Sequence, residues 1–425
     1  MFRQLTHSAA TSYCLFALVL FAGLAFLQRD GNALPFFYKD YPTYPVNGEK
    51  HFDRNSENLV LNRIDFAARD IPYPYHFHLW RSGPRETGPA EQQSDTSPPP
   101  DTALGQPHGA PYRSQIGVQA WFWAGLTEWL DIRDGSYQLQ KALSVLFASL
   151  LAAVLLVWVR KNLGALPSLA GLAFLTFSTG MNLFAGSLYW SLWLFLLPLA
   201  VTCLLDRLGI HNRYVLFIAT LPAFFAKFLA GYEFITVIVL AAMTPYAWDF
   251  FIRHSKAAAF RAAIVGASSI GAFLLSLLCY EWLFRADFGL SGIDHLLGRS
   301  QAWSVFQTLE DRGLTPGIQA AKLLTMNFID LNGYGIPLGV CLLAIALALM
   351  HARNQLRAAE MGFLLFLLLG STSWLFIQPG HLLFHPRYAT LVFSLPFGVF
   401  AVGLLTRLFE VRYRLKKAAR ALATS

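Results

Sequence analysis

The sequence predicts an all-α, polytopic integral membrane protein. It has about ten transmembrane helices and a large extracytoplasmic first loop carrying amphipathic surface helices. Three observations lead there. Of 425 residues, 55% are hydrophobic and only 14% charged, against roughly 25% charged in a soluble domain. Apolar runs long enough to cross about 30 Å of hydrocarbon recur along the whole chain. Aromatic residues make up 15%, with 11 Trp and 16 Tyr, the two residues that favour the membrane–water interface.

The apolar runs lie at about 12–28, 141–159, 163–180, 187–205, 214–231, 233–251, 262–284, 332–350, 361–377 and 388–406. Arg3 ahead of the stretch Tyr13–Phe26 resembles a signal peptide. No small-residue cleavage site follows, only Leu27-Gln28-Arg29-Asp30, so an uncleaved first helix is expected. The chain then divides into a first span within 1–28, an outer loop over 29–140, a helix bundle over 141–406 and a basic tail over 407–425.

Orientation follows from the charges. With the N-terminus inside, the inner connections are Arg160-Lys161, Asp206–Arg213, Arg253–Arg261, His351–Arg357 and the tail from Arg407, each with at least two Lys or Arg. The short outer turns at about 181–186 and 231–233 carry none, and 378–387 carries only Arg387. That alternation predicts both termini on the cytoplasmic side of the plasma (inner) membrane. The net charge of +8 is then an orientation signal, and no nucleic-acid partner is expected. Cys14, Cys203, Cys279 and Cys341 all sit in apolar runs, without the spacing of a disulfide framework or zinc site.

The first loop is the most informative segment. Residues Asp53–Phe66 read as a helix that Asn55 or Ser56 can cap, with Glu57 in its first turn. Asn58, Asn62, Asp65 and Arg69 form one polar stripe, while Val60, Ile64, Ala67 and Ala68 form an apolar side. Pro72 ends it. Such a segment suits a membrane surface. The stretch 82–111, with Pro98-Pro99-Pro100, is a Pro- and Ser-rich insertion without a core of its own. Tyr112, Ser114 and Gln119 then lead into a second interfacial helix bearing Trp121, Trp123 and Trp129.

Polar groups that orientation does not explain gather on the outer face: Asp53, Glu57, Arg63 and Asp65, then Tyr112, Ser114 and Gln119, then Lys227, Tyr232 and Glu233, and finally Asp287, His381, His385 and Arg387. A carboxylate among them can take a proton from an acceptor hydroxyl. Arg387, Lys227 or a His can hold a phosphate leaving group, although Lys227 is equally placed to snorkel to headgroups. His381 and His385 have a metal-like spacing, but the flanking prolines argue against a helix there and no third ligand is near, so no metal site is assigned.

The segments Glu57–Ile64 and Tyr112–Gln119, with the late His381…His385-Pro386-Arg387-Tyr388, resemble the first-loop and final-loop patterns of the GT-C superfamily of polytopic glycosyltransferases and of related membrane proteins found with bacterial polysaccharide genes. The resemblance implies transfer of a sugar from a polyprenyl-phosphate-linked donor to a glycan or lipid-linked acceptor on the extracytoplasmic face, with membrane lipid around it. It implies Glu57, or else Asp53, as general base. It implies Arg387, Lys227 and Arg63 at the donor phosphate, and Tyr112, Ser114, Gln119, Tyr232, Glu233, His381 and His385 along the substrate. Some members use Mg or Mn and others none, so no cofactor is firmly implied. The rivals are a transporter or flippase of a lipid-linked sugar, and a polysaccharide polymerase or ligase. Against transport, the polar groups collect on one face and mid-span acids are scarce.

Overall fold

The computed structural model describes residues 2–28, 44–46, 49–51, 54–73, 75–82, 109–132, 137–302, 358–377, 391–392 and 394–424. The architecture is overwhelmingly helical. The first long helix, α1 (Phe2–Gln28), precedes a small first-loop unit. That unit holds β1 (Tyr44–Val46) paired antiparallel with β2 (Glu49–His51), then α2 (Arg54–Ala68), then β3 (Trp80–Ser82) paired antiparallel with β4 (Gly109–Pro111), then α3 (Val118–Trp129). The two short ladders are additions to the all-α expectation.

The bundle follows as α4 (Gln138–Asn162), α5 (Ala165–Phe177), α6 (Thr179–Phe184), α7 (Leu192–Arg207), α8 (Arg213–Ala230), α9 (Ile235–Ala242), α10 (Thr244–Arg253), α11 (Lys256–Phe288), α12 (Gly292–Ala302), α13 (Ala358–Ile377) and α14 (Val399–Thr424). Among the described residues, α4, α8 and α11 are long and apolar enough to cross a membrane. The bent pair α9 and α10 makes up to four if it counts as one span. Its two helices meet at 49°, where Pro245 opens α10 and lacks the N–H a continuous helix needs. The predicted run at 332–350 lies outside the described residues.

Packing follows the apolar faces. Helix α11 runs along α8, α1 along α4, α4 along α7 and α14 along α5. The main core joins Leu20 and Leu24 of α1 with Trp158, Phe195, Phe224, Trp248, Phe363 and Phe400. Small residues on the facing sides, such as Ala148 and Ala152 of α4, are fully buried, which lets helix backbones approach closely.

Helix α2 shows the expected two-sided character, because Val60, Ile64, Ala67 and Ala68 are all buried. Its apolar side rests on protein, however. It packs against α3, Leu79, Leu188 and Tyr189. The chain leaves α2 through Asp70 in the left-handed region (φ 54), with Ile71 N–H reaching back to Phe66 O at 2.9 Å, a helix-closing turn. Gly117 starts α3 at φ +77, and a Cβ there would lie 2.5 Å from Leu79 Cγ, so both the conformation and the close approach require glycine.

Candidate functional site

The first-loop unit sits on one end of the bundle. Its first cluster packs α2 and α3 against Tyr137 at the start of α4 and against Leu188 and Tyr189 in the turn before α7. Its second packs Phe77 and Ile116 against Tyr280 and Phe284 near the end of α11, with Leu229 of α8 alongside. The sequence predicts an outer location for all of these helix ends.

Glu57 is pointed into this junction and is 2% exposed. Its Oε2 accepts from the Ser187 hydroxyl at 2.8 Å and from Tyr189 N–H at 3.4 Å, and its Oε1 accepts from Leu188 N–H at 2.8 Å. Burial raises its pKa, opposed by these hydrogen bonds and by Lys141. The carboxylate therefore ties α2 to a turn 130 residues away, and that turn contains Ser191 in the left-handed region (φ 42).

Arg63 lies one and a half turns further along α2, and its side chain is 11% exposed. Its Nε and Nη1 are buried with no hydrogen-bond partner among the described residues. Its Nη2 is 3.9 Å from Glu128, a carboxylate that is mostly in solvent. The guanidinium carbon stands 4.6 Å from the Tyr73 ring centroid, a cation–π contact. Burial lowers the Arg63 pKa, with Glu128 and Tyr73 opposing. Near it, Trp80 Nε1 and His78 Nδ1 are also buried without partners among the described residues, as is the Ser114 hydroxyl elsewhere in the first loop. His78 stacks near Tyr73 at 6.1 Å between ring centroids. Burial, and then the charge of Arg63, push its pKa down to about 4, so it is neutral near pH 7.

Beyond Tyr73 stands a second polar pair. Asp287 at the end of α11 accepts from the backbone N–H of His76 at 2.7 Å and of Phe77 at 3.2 Å, and meets His76 Nδ1 at 2.5 Å. The Asp287 side chain is 3% exposed, whereas that of His76 is 55% exposed. Tyr73 lies within electrostatic reach of both Arg63 and Asp287, and its hydroxyl donates to Phe77 O.

The other sequence-predicted residues form a knot beneath this cluster. Gln119 is buried, and its amide donates to Tyr189 O and Ala230 O, each at 3.1 Å. Lys227 is buried in α8 and donates from Nζ to Gly231 O at 2.8 Å. A Cβ on Gly231 would lie 2.2 Å from Glu233 Oε2 and 2.3 Å from Gln115 Oε1, so the backbone here is wrapped by side chains. Tyr232 meets Phe273 edge-on at 5.7 Å. Tyr112 N–H donates to Leu79 O at 2.7 Å, holding it beside the β3–β4 ladder. Asp53, His381, His385 and Arg387 lie outside the described residues.

Compared with known protein families, characterised proteins and solved structures, the chain matches none. The site is therefore read from its own chemistry. Among the described residues no group of three His, Cys, Asp or Glu is placed to hold a metal. Arg63 and its unpaired neighbours suit an anion. Sequence reasoning did not single out Tyr73, His76, His78 or Trp80. Their signal was present in Pro72-Tyr73-Pro74-Tyr75-His76-Phe77-His78-Leu79-Trp80, an aromatic run too dense for a simple connector.

Proposed function

We propose that the protein is a membrane glycosyltransferase of GT-C type. It moves a sugar from a polyprenyl-phosphate-linked donor to an acceptor on the extracytoplasmic face of the inner membrane. The observation that carries this reading is Arg63, a largely buried guanidinium whose Nε and Nη1 no described residue matches. An uncompensated buried charge is costly, and a phosphate oxygen is the natural complement to a planar pair of N–H donors. His78 adds a ring nitrogen near the same position, and Tyr73 supplies a ring wall.

In this reading Arg63 binds the donor phosphate and stabilises charge as it leaves, with Lys227 and Arg387 as further candidates. Glu57, with both oxygens already engaged, anchors the loop to the bundle. The full proposal has about ten spans with both termini cytoplasmic. Its support is the contrast between the helix ends. The connections rich in Lys and Arg meet at one end, where Arg253 bonds Asn162 and Arg261 approaches Asp249, and the first-loop unit covers the other.

The test uses purified protein in lipid nanodiscs with a panel of labelled polyprenyl-phosphate sugars and a crude glycan acceptor. The wild type is expected to consume at least one donor, and Arg63→Ala to lose about 10²–10³ in kcat/KM, the scale of one lost charge-stabilising contact. Donor that is never consumed but changes leaflet overturns the reading in favour of a flippase, the alternative that the bent α9–α10 pair favours.

A further inference from the structure

We infer that His76, oriented by Asp287, is the proton acceptor of this site. The inference rests on the transferase reading and deepens it, naming a hydroxyl as the acceptor group and a first-loop imidazole as its base.

A carboxylate only accepts hydrogen bonds, so the close contact between Asp287 and His76 Nδ1 puts the ring proton on Nδ1. That leaves Nε2 as the basic lone pair. No described residue bonds Nε2, and the ring is more than half exposed. Asp287 is held in turn, because its Oδ2 also accepts two backbone N–H groups. The carboxylate is thus buried and immobile, while the imidazole has one nitrogen fixed and the other open to solvent. This is the arrangement a general base needs: an orienting group behind it and access in front.

Tyr73 is within reach of the charges of both Arg63 and Asp287, with the Arg63 guanidinium 4.6 Å from its ring centroid. The charged and titratable groups around His76 are Asp287 on α11, then Arg63, Tyr73, Tyr75 and His78 on the first loop, with Arg113 over the neighbouring Phe288 ring at 4.3 Å. Glu57, by contrast, is 2% exposed, and both its oxygens already accept from the Ser187–Tyr189 turn. A base and a phosphate-binding cation that both neighbour Tyr73 divide the labour of one displacement.

The step balances as follows. His76 Nε2 takes the proton from the acceptor hydroxyl. The hydroxyl oxygen forms a bond to the anomeric carbon of the donor. The bond between that carbon and the phosphate oxygen breaks, and its electron pair leaves with the lipid phosphate, which Arg63 receives. The imidazolium is neutralised by Asp287 and later returns its proton to water.

The test compares His76→Asn, His76→Ala and Asp287→Asn with wild type in nanodiscs, with donor KM, kcat and thermal unfolding measured together. Asn places an amide donor where Nδ1 was, so it keeps the latch to Asp287 but has no base. Catalytic function predicts that His76→Asn loses about 10²–10⁴ in kcat with donor KM within a few-fold. It also predicts that added imidazole restores part of the activity of His76→Ala. Asp287→Asn should show a smaller loss with a displaced pH profile. His76→Asn at near wild-type kcat overturns the assignment and leaves the transferase reading standing, as does His76→Ala that stays folded and ignores imidazole. A wild type that consumes no donor overturns the transferase reading, and the assignment with it.

Discussion

The two ends of the helical bundle handle buried charge in opposite ways. At the end rich in Lys and Arg, the buried carboxylates meet their complements. Asp206 accepts from Trp158 Nε1 at 2.8 Å, and Asp249 accepts from Arg253 at 2.8 Å and lies 3.8 Å from Arg261. At the end covered by the first loop, Arg63 has two buried nitrogens that no described residue matches, and Ser114, His78 and Trp80 each have a polar atom in the same state among the described residues. Complementary pairing holds helices together. Polar atoms held without partners fit a site that a ligand completes. Within the first-loop end the same contrast separates Glu57, which is fully engaged, from His76, which keeps one nitrogen open.

The largest effect is expected at Arg63. If it belongs to a ligand site, Arg63→Ala abolishes most donor turnover while leaving the melting temperature unchanged or higher, since a poorly paired buried charge has gone. Parallel losses of activity and stability would make it a structural residue like Arg253. The next largest effect is expected at Glu57. Glu57→Ala strands the Ser187 hydroxyl and two backbone N–H groups, so stability should fall by about 2–4 kcal/mol. Limited proteolysis of the first loop would register the loss, and Glu57→Gln, which keeps an acceptor oxygen, should lose less.

His78 sharpens the comparison through pH. Its folded-state pKa, about 4, lies below the value of 6.5 for an unperturbed histidine. The unfolded chain therefore takes up the proton first as pH falls. Stability is unaffected above about pH 6.5 and declines towards pH 4, by at most about 3 kcal/mol. Unfolding measured against pH should show this decline in wild type and a flatter curve in His78→Phe. The smallest effect is expected at the other end. Arg253→Ala removes a half-exposed partner from an Asp249 that retains Arg261, and should cost about 0.5 kcal/mol with no change in transfer.

Much of the fold was legible before any coordinates. The runs at 141–159, 214–231 and 262–284 fall within or almost within α4, α8 and α11, because a segment facing hydrocarbon must be apolar along its own length. Helix α2 was legible from its polar stripe and from Pro72, and the amphipathic split placed Val60 and Ile64 on the buried side. The occupant of that buried side was not legible. An apolar stripe looks the same whether lipid or protein covers it, and here α3 and the Leu188–Tyr189 turn cover it. The polar outer residues were likewise legible as a set, but their division into anchors and open groups was not.

Composition and periodicity alone thus determined a helical chain built for a membrane, the positions of its apolar runs and the polar character of one set of helix ends. These are properties of single segments, and the solvent selects them locally. Packing alone brings Glu57 to a turn 130 residues away, sets Arg63 against the Tyr73 ring, and brings His76 to a carboxylate 211 residues distant. A polar side chain is satisfied or left open by its partners, and partners that far apart in sequence are brought together only by packing.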